Sequence, residues 1–183
     1  MKRILGIDPG SRFTGFGIID IEAGRTVWVN SGCIRVTGED LASKLCVIAD
    51  SLNNLLDEFQ PDEMAIEKVF VSRNVDSALK LGQARGAAIS TVALRRIPVS
   101  EYTPTQVKKA VVGKGNAAKS QVQHMMVNLL GLSAVPQEDA ADALAIALCH
   151  AHTGQTLGHV LNKITSTTAA TRQGRRLRNL KSR

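Results

Sequence analysis

The hydrophobic period first changes near residue 40 of this chain, and that change restricts what it can fold into. Segments Arg3–Asp8, Thr14–Asp20 and Thr26–Val36 follow the two-residue alternation of strands, punctuated by the turn pairs Pro9-Gly10 and Ala23-Gly24. From Leu41 onward the period becomes helical. Leu41, Leu45, Ile48, Leu52, Leu55 and Leu56 define a helix over about 41–59, and Pro61 follows its end. Strands near Met64–Glu67 and Val99–Tyr102 then alternate with helices near Val75–Arg95, Thr105–Val112, Ala118–Leu130 and Glu138–His152. A three-strand meander followed by alternating helices and strands predicts an α/β protein, with helices on the faces of a mixed sheet. No internal repeat interrupts the pattern. At 183 residues and 44% hydrophobic content, the chain can build one sizeable core.

Acidic residues punctuate the same pattern. The apolar run Ile4-Leu5-Gly6-Ile7 ends in Asp8, and Met64-Ala65-Ile66 ends in Glu67, so two strands each deliver a carboxylate where the chain leaves the sheet. Asp139 and Asp142 open the last, Ala- and Leu-rich helix three residues apart, a spacing that shares one helix face. An acid after a strand is ordinarily a turn former, and Asp139 could serve only the helix dipole. Asp142 faces an almost wholly apolar stretch, where an unpaired acid is costly. Taken together, the four suggest a two-metal phosphodiesterase site. Acids brought that close repel unless cations or protons compensate them, and an all-oxygen set suits Mg²⁺ or Mn²⁺ rather than zinc.

The formal net charge of +7 conceals an uneven distribution. Residues 1–67 hold 6 basic and 11 acidic side chains, and residues 68–119 hold 10 and 2. Residues 120–153 hold none and 3, while residues 154–183 hold 7 and none. A basic middle set between acidic flanks suits a metal site beside a phosphate-binding surface. We therefore expect one domain over 1–153 and a flexible, polyanion-attracting tail over 154–183. Cys33, Cys46 and Cys149 are widely spaced free thiols without a Cys-x-x-Cys pair, and the group Cys149-His150-Ala151-His152 reads as a helix C-terminus rather than a metal site. No secretory signal or membrane-length apolar run is visible, which predicts a cytoplasmic protein with no membrane association.

Five blocks carry a more specific signal: Gly6-Ile7-Asp8-Pro9-Gly10-Ser11-Arg12 with Thr14-Gly15-Phe16-Gly17, then Ala65-Ile66-Glu67-Lys68-Val69-Phe70, then the stretch Asp76 to Gly86, then Lys119-Ser120-Gln121-Val122-Gln123, and Asp139-Ala140-Ala141-Asp142-Ala143-Leu144-Ala145. Over roughly residues 1–152 the chain resembles the RuvC crossover junction endodeoxyribonucleases. The resemblance implies a ribonuclease H-like three-layer fold with a mixed five-stranded sheet flanked by helices. It also implies a homodimer that resolves four-way Holliday junction DNA with Mg²⁺, two ions per subunit with Mn²⁺ as a substitute, working alongside the RuvA and RuvB proteins. The family's acidic quartet falls on Asp8, Glu67, Asp139 and Asp142, its phosphate-side lysines on Lys108 and Lys119, and its junction-centre aromatic on Phe70.

Two other classes compete. The Asp-Pro-Gly-Ser turn with Gly15 and Gly17 could cradle a nucleotide, as in an actin-like ATPase or sugar kinase. The short chain, lacking a second nucleotide-binding half, and the further acids at 67, 139 and 142 speak against it. A non-catalytic junction-binding protein would carry its acids structurally, and Mg²⁺-dependent nicking separates it from a nuclease.

Overall fold

A computed structural model describes residues 1–68 and 74–154. Its elements run β1 (Lys2–Asp8), β2 (Phe13–Glu22), β3 (Arg25–Arg35), α1 (Leu41–Phe59), β4 (Glu63–Glu67), α2 (Val75–Leu94), β5 (Val99–Tyr102), α3 (Pro104–Val112) and α4 (Lys119–Leu130). A last helix, α5, occupies residues 138–154. Each expected element is present, with ends within a few residues of the reading above. Strand β2 is longer than expected, and β3 starts one residue earlier, because Ala23 and Gly24 both take positive φ, 48° and 80°, so only two residues join β2 to β3. The compact unit spans Met1–Ala151, and His152–Arg183 form a second. Residues 155–183, nearly all of the expected tail, lie outside the described residues.

The five strands form one sheet in the order β3-β2-β1-β4-β5. The meander pairs antiparallel, whereas β1 with β4 and β4 with β5 pair parallel. Both faces are covered, as a sheet with crossover helices requires. Leu5, Ile7, Ile18, Met64 and Ile66 point to one side and meet Ile48, Leu52 and Leu56 of α1 with Ala84, Ala88 and Val92 of α2. Ile4, Ile19, Ala65 and Tyr102 point to the other and meet α3, α4 and α5. The result is three layers with a core on each side of the sheet.

Helix α5 lies unusually close to the sheet. A Cβ on Gly6 would stand 2.1 Å from the Ala143 carbonyl oxygen, one on Gly15 2.0 Å from that of Asp139, and one on Gly17 2.7 Å from the Leu144 nitrogen. Gly6 and Gly17 are cross-strand partners, and Gly15 faces Asp8 two residues along the same side. Together they form a side-chain-free seat against which helix backbone packs directly. Alanines 140, 141, 143, 145 and 147 are all buried and keep the helix slim enough to enter it. At the far end, His150 Nε2 lies 2.6 Å from Glu63 and its Nδ1 lies 2.7 Å from the Tyr102 hydroxyl. With Nε2–H donating to the carboxylate, Nδ1 accepts from the tyrosine, and Lys2 holds the other Glu63 oxygen at 2.6 Å. His150 is thus engaged in a structural clasp, and Cys149 is buried beside it.

The seat predicts a sharp contrast between two glycine-to-alanine changes. Gly6→Ala should lower stability by about 1–3 kcal/mol or more, because helix backbone cannot yield as a side chain would. Gly82→Ala, on α2 with nothing within 4 Å of the added carbon, should be neutral or slightly stabilising. Urea midpoints of the two variants check both expectations.

Candidate active site

The parallel pairing of β1 with β4 ends at Ile7↔Ile66, so Asp8 and Glu67 are the next residues of adjacent strands and emerge at one edge of the sheet. Asp8 lies on the same face as Gly6, the face that α5 covers. Because Gly15 admits the Asp139 backbone, the first turn of α5 reaches that edge, and Asp142 follows on the same side of the helix. The Pro9–Arg12 turn after Asp8 is braced by Thr14, 1% exposed, whose hydroxyl donates to the Gly10 carbonyl at 3.1 Å.

The acids feel one another strongly. Burial pushes the Asp8 carboxyl up to about 8, and the charges of Glu67, Asp142 and Asp139 add to the effect while Lys119 opposes it. Glu67 is raised by burial and by Asp142, against Lys119 and Lys108. Asp142 is raised chiefly by burial, with Lys119 opposing and Glu138 and Asp139 contributing. All four predicted carboxylates therefore act on one locus, with both predicted lysines beside it. Cys33, on the rim, has its thiol held up by burial and by Asp139, which leaves it a poor nucleophile.

Lys119 is the first residue of α4, where a cation opposes the helix dipole. Its ammonium compensates by reaching Glu138 and standing 3.6 Å from Asp142. Sequence reading missed Glu138, an unremarkable acid in a helix's first turn. It also missed Arg85 of α2, whose Nε donates to the Glu67 carbonyl at 3.0 Å while its terminal nitrogen pairs with Glu101 at 2.8 Å. Nothing in the sequence links residues 85 and 67, which only the crossover brings together. Phe70 lies outside the described residues.

The residues suit hard divalent cations in chemistry and in charge. Four carboxylates supply only oxygen donors, and three of them are raised by burial first and by neighbouring acids second, so a bound cation would relieve both. As the side chains stand, no group of three acids, histidines or cysteines among the described residues is arranged to hold an ion. Side-chain rotation would have to complete the coordination.

The fold and the similarities of the chain can now be read together. The family profile described as Crossover junction endodeoxyribonuclease RuvC matches residues 4–150. A protein of that description from Aeromonas salmonicida is 56% identical over 166 residues, covering 91% of this chain and 96% of the relative. One from Shewanella oneidensis is 53% identical over 168 residues, covering 92% and 97%. Among solved structures, Thermus thermophilus RuvC in complex with a Holliday junction substrate superposes with a TM-score of 0.80 at 33% identity, over 85% of this chain and 96% of that one. The yeast mitochondrial Holliday junction resolvase Ydc2 shares the fold, with a TM-score of 0.69 at 14% identity over 91% of this chain and 86% of that one. The architecture is thus that of a ribonuclease H-like resolvase, as expected from the sequence. Within that class, the chain belongs to the RuvC crossover junction endodeoxyribonuclease family.

The pH behaviour of Asp8 follows from its raised carboxyl. Between about pH 4 and 8 the folded protein holds a proton there that the unfolded chain releases, so Asp8 costs stability increasingly as pH rises through that window. In metal-free protein, Asp8→Asn should raise the melting temperature by about 2–6 °C at pH 8.5 and by much less at pH 4.5. Thermal scans at the two pH values test this, and equal gains at both would contradict the assignment.

Proposed function

We propose that this crossover junction endodeoxyribonuclease resolves Holliday junctions by hydrolysis at the Asp8, Glu67, Asp139 and Asp142 locus. The observation that carries the reading is the convergence of two strand-end acids with two acids of one helix at a buried edge, where burial first and the neighbouring acids second lift Asp8 to about 8. On this reading the four carboxylates hold two Mg²⁺ ions per subunit, and Mn²⁺ can replace them. Bound there, such ions supply Lewis-acid stabilisation of phosphate charge and lower the pKa of water. The Asp8 carboxyl would give up its proton on binding such an ion, and the four acids would hold the ions at the sheet edge. Lys119, released from Glu138, neutralises the scissile phosphate, and Lys108 flanks it from α3. Water would attack the scissile phosphorus in line as the bond to the 3′ oxygen breaks, its proton ending on that oxygen, which leaves 5′-phosphate and 3′-hydroxyl ends. Phe70 is proposed to contact bases at the junction centre.

A junction presents two symmetry-related strands, so an isologous homodimer would offer two matched sites for paired nicks. RuvA and RuvB are proposed partners. The 7 basic and no acidic side chains of residues 154–183 would add to attraction for DNA. No helix among the described residues is long and apolar enough to cross a membrane. A cytoplasmic location is proposed with the substrate.

Three measurements test this reading. With a labelled four-way junction and a matched linear duplex, Mg²⁺ should produce paired symmetric nicks on the junction alone. Glu67→Gln and Asp142→Asn should each lose cleavage by about 10²-fold or more while still binding the junction; wild-type rates at saturating Mg²⁺ in either variant would refute the assignment. Mg²⁺ binding at pH 7 should also displace about one proton per site, from Asp8, measured calorimetrically in buffers of different ionisation enthalpy.

A further inference from the structure

Arg85 stands behind the acid locus rather than in it. It belongs to α2, which packs on the opposite face of the sheet through Ala84, Ala88 and Val92. Those apolar contacts seat the helix without help from a charge. The Arg85 side chain, 20% exposed, continues past the core to the sheet edge, where its guanidinium makes two different attachments. Nε donates to the main-chain carbonyl of Glu67 at 3.0 Å, and a terminal nitrogen meets Glu101 of β5 at 2.8 Å.

The Glu67 carbonyl needs such a partner. The β1–β4 ladder ends one residue earlier, at Ile7↔Ile66, so this peptide lies beyond the last paired residue of β1. On its other side, the N–H of the same peptide, that of Lys68, donates to the Tyr102 carbonyl of β5 at 2.7 Å, which holds the amide end and leaves the Glu67 oxygen to Arg85. Arg85 therefore replaces the missing strand at the peptide that carries the Glu67 side chain. A Glu carboxylate sits roughly 4–5 Å from its Cα, so a ~15° swing of that peptide would move its oxygens by about 1 Å, beyond the ~0.5 Å tolerance of a working constellation.

We propose that Arg85 is a positioning residue for the nuclease reaction: by fixing the Glu67 main chain from behind the sheet, it aims the Glu67 carboxylate at the ion site. The inference rests on the reading of Glu67 as an ion ligand. The guanidinium meets the two acceptors with separate N–H groups of one rigid planar fork, whereas a Lys ammonium keeps the charge beside Glu101 without a donor fixed on the carbonyl.

The test compares Arg85→Met, Arg85→Lys, Glu101→Gln and Glu67→Gln in the full-length protein. Each is assayed for Mn²⁺ affinity without DNA by calorimetry, junction affinity without divalent metal, single-turnover cleavage against Mn²⁺ concentration, and urea midpoint. Arg85→Met should weaken Mn²⁺ binding and slow cleavage by about 10–100-fold, the scale for groups that orient ligands. Its junction affinity should stay within about twofold. Glu101→Gln, which removes the ion pair but leaves the bond to Glu67, should bind Mn²⁺ and cleave as wild type does. Arg85→Lys should fall between, and it decides the matter if Arg85→Met does not fold. The proposal is overturned if the Arg85 variants keep wild-type Mn²⁺ affinity while Glu67→Gln loses it, or if Arg85→Met and Glu101→Gln decline in parallel. Wild-type Mn²⁺ affinity in Glu67→Gln would overturn the ligand reading and this inference with it.

Discussion

Everything at the acid locus depends on how closely one helix can approach one sheet. Side chains normally hold a helix well clear of the strands it covers, yet at Gly6, Gly15 and Gly17 nothing intervenes between strand and helix backbone. The approach brings the start of α5 over the ends of β1 and β2, and so places Asp139 and Asp142 near two acids that leave the sheet from below. At the contact itself Ala143 and Ala147 fill the gap over Gly6, while Leu144, Ile146 and Leu148 of the same helix bury their bulk to either side. The contact therefore trades apolar area for position.

The electrostatics show the same preference for placement over stability. Three carboxyls are raised by burial and by one another, and a lysine begins a helix whose dipole repels it. None of these choices would favour a fold whose only task was to persist. They become reasonable where cations and a phosphate complete the charge balance, since each unfavourable group is then matched by a bound one. By contrast, groups away from this edge are paired conventionally. Arg3 grips Asp20 through two nitrogens at 2.8 and 2.7 Å and donates a third to the last turn of α1 at the Phe59 carbonyl.

Much of this was legible in the sequence, for reasons that can be named. Helix α1 starts and stops where its period and flanking residues say, because Asp40 accepts from the Ser43 amide at the first turn and Gln60 adopts a left-handed cap just before Pro61. Strands β1 and β4 were visible because each is an apolar run closed by an acid, and those acids belong to the proposed site. What escaped was whatever depends on two distant segments meeting. Arg85 sits on a helix face with ordinary composition, and its bond to residue 67 exists only once α2 has crossed behind the sheet. The Glu63–His150–Tyr102 clasp joins three elements, and its histidine resembled any helix-terminal one. The glycines were seen as loop or phosphate-cradle signals, whereas their use is to remove bulk beneath a helix.

That clasp helps to settle an ambiguity built into α5. The helix presents Ala143-Leu144 to the glycine seat, and four residues later it offers Ala147-Leu148, followed after another turn by Ala151. Slid along its axis by one turn, ~5.4 Å, it would put alanine where alanine had been and leucine where leucine had been. Elsewhere along the helix the slip would be costly, putting Leu144 in the place of the buried Ala140 and His150 in that of the buried Ile146. In the slipped seating Ala143 would also occupy the place of Asp139 and Ile146 that of Asp142, leaving the sheet edge without half of its acids. His150, bound between Glu63 and Tyr102 at the opposite end of the helix, adds a polar contact of fixed address to those apolar constraints. The histidine thus works as an index pin, helping to set from a distance which residues of a repetitive helix face the chemistry.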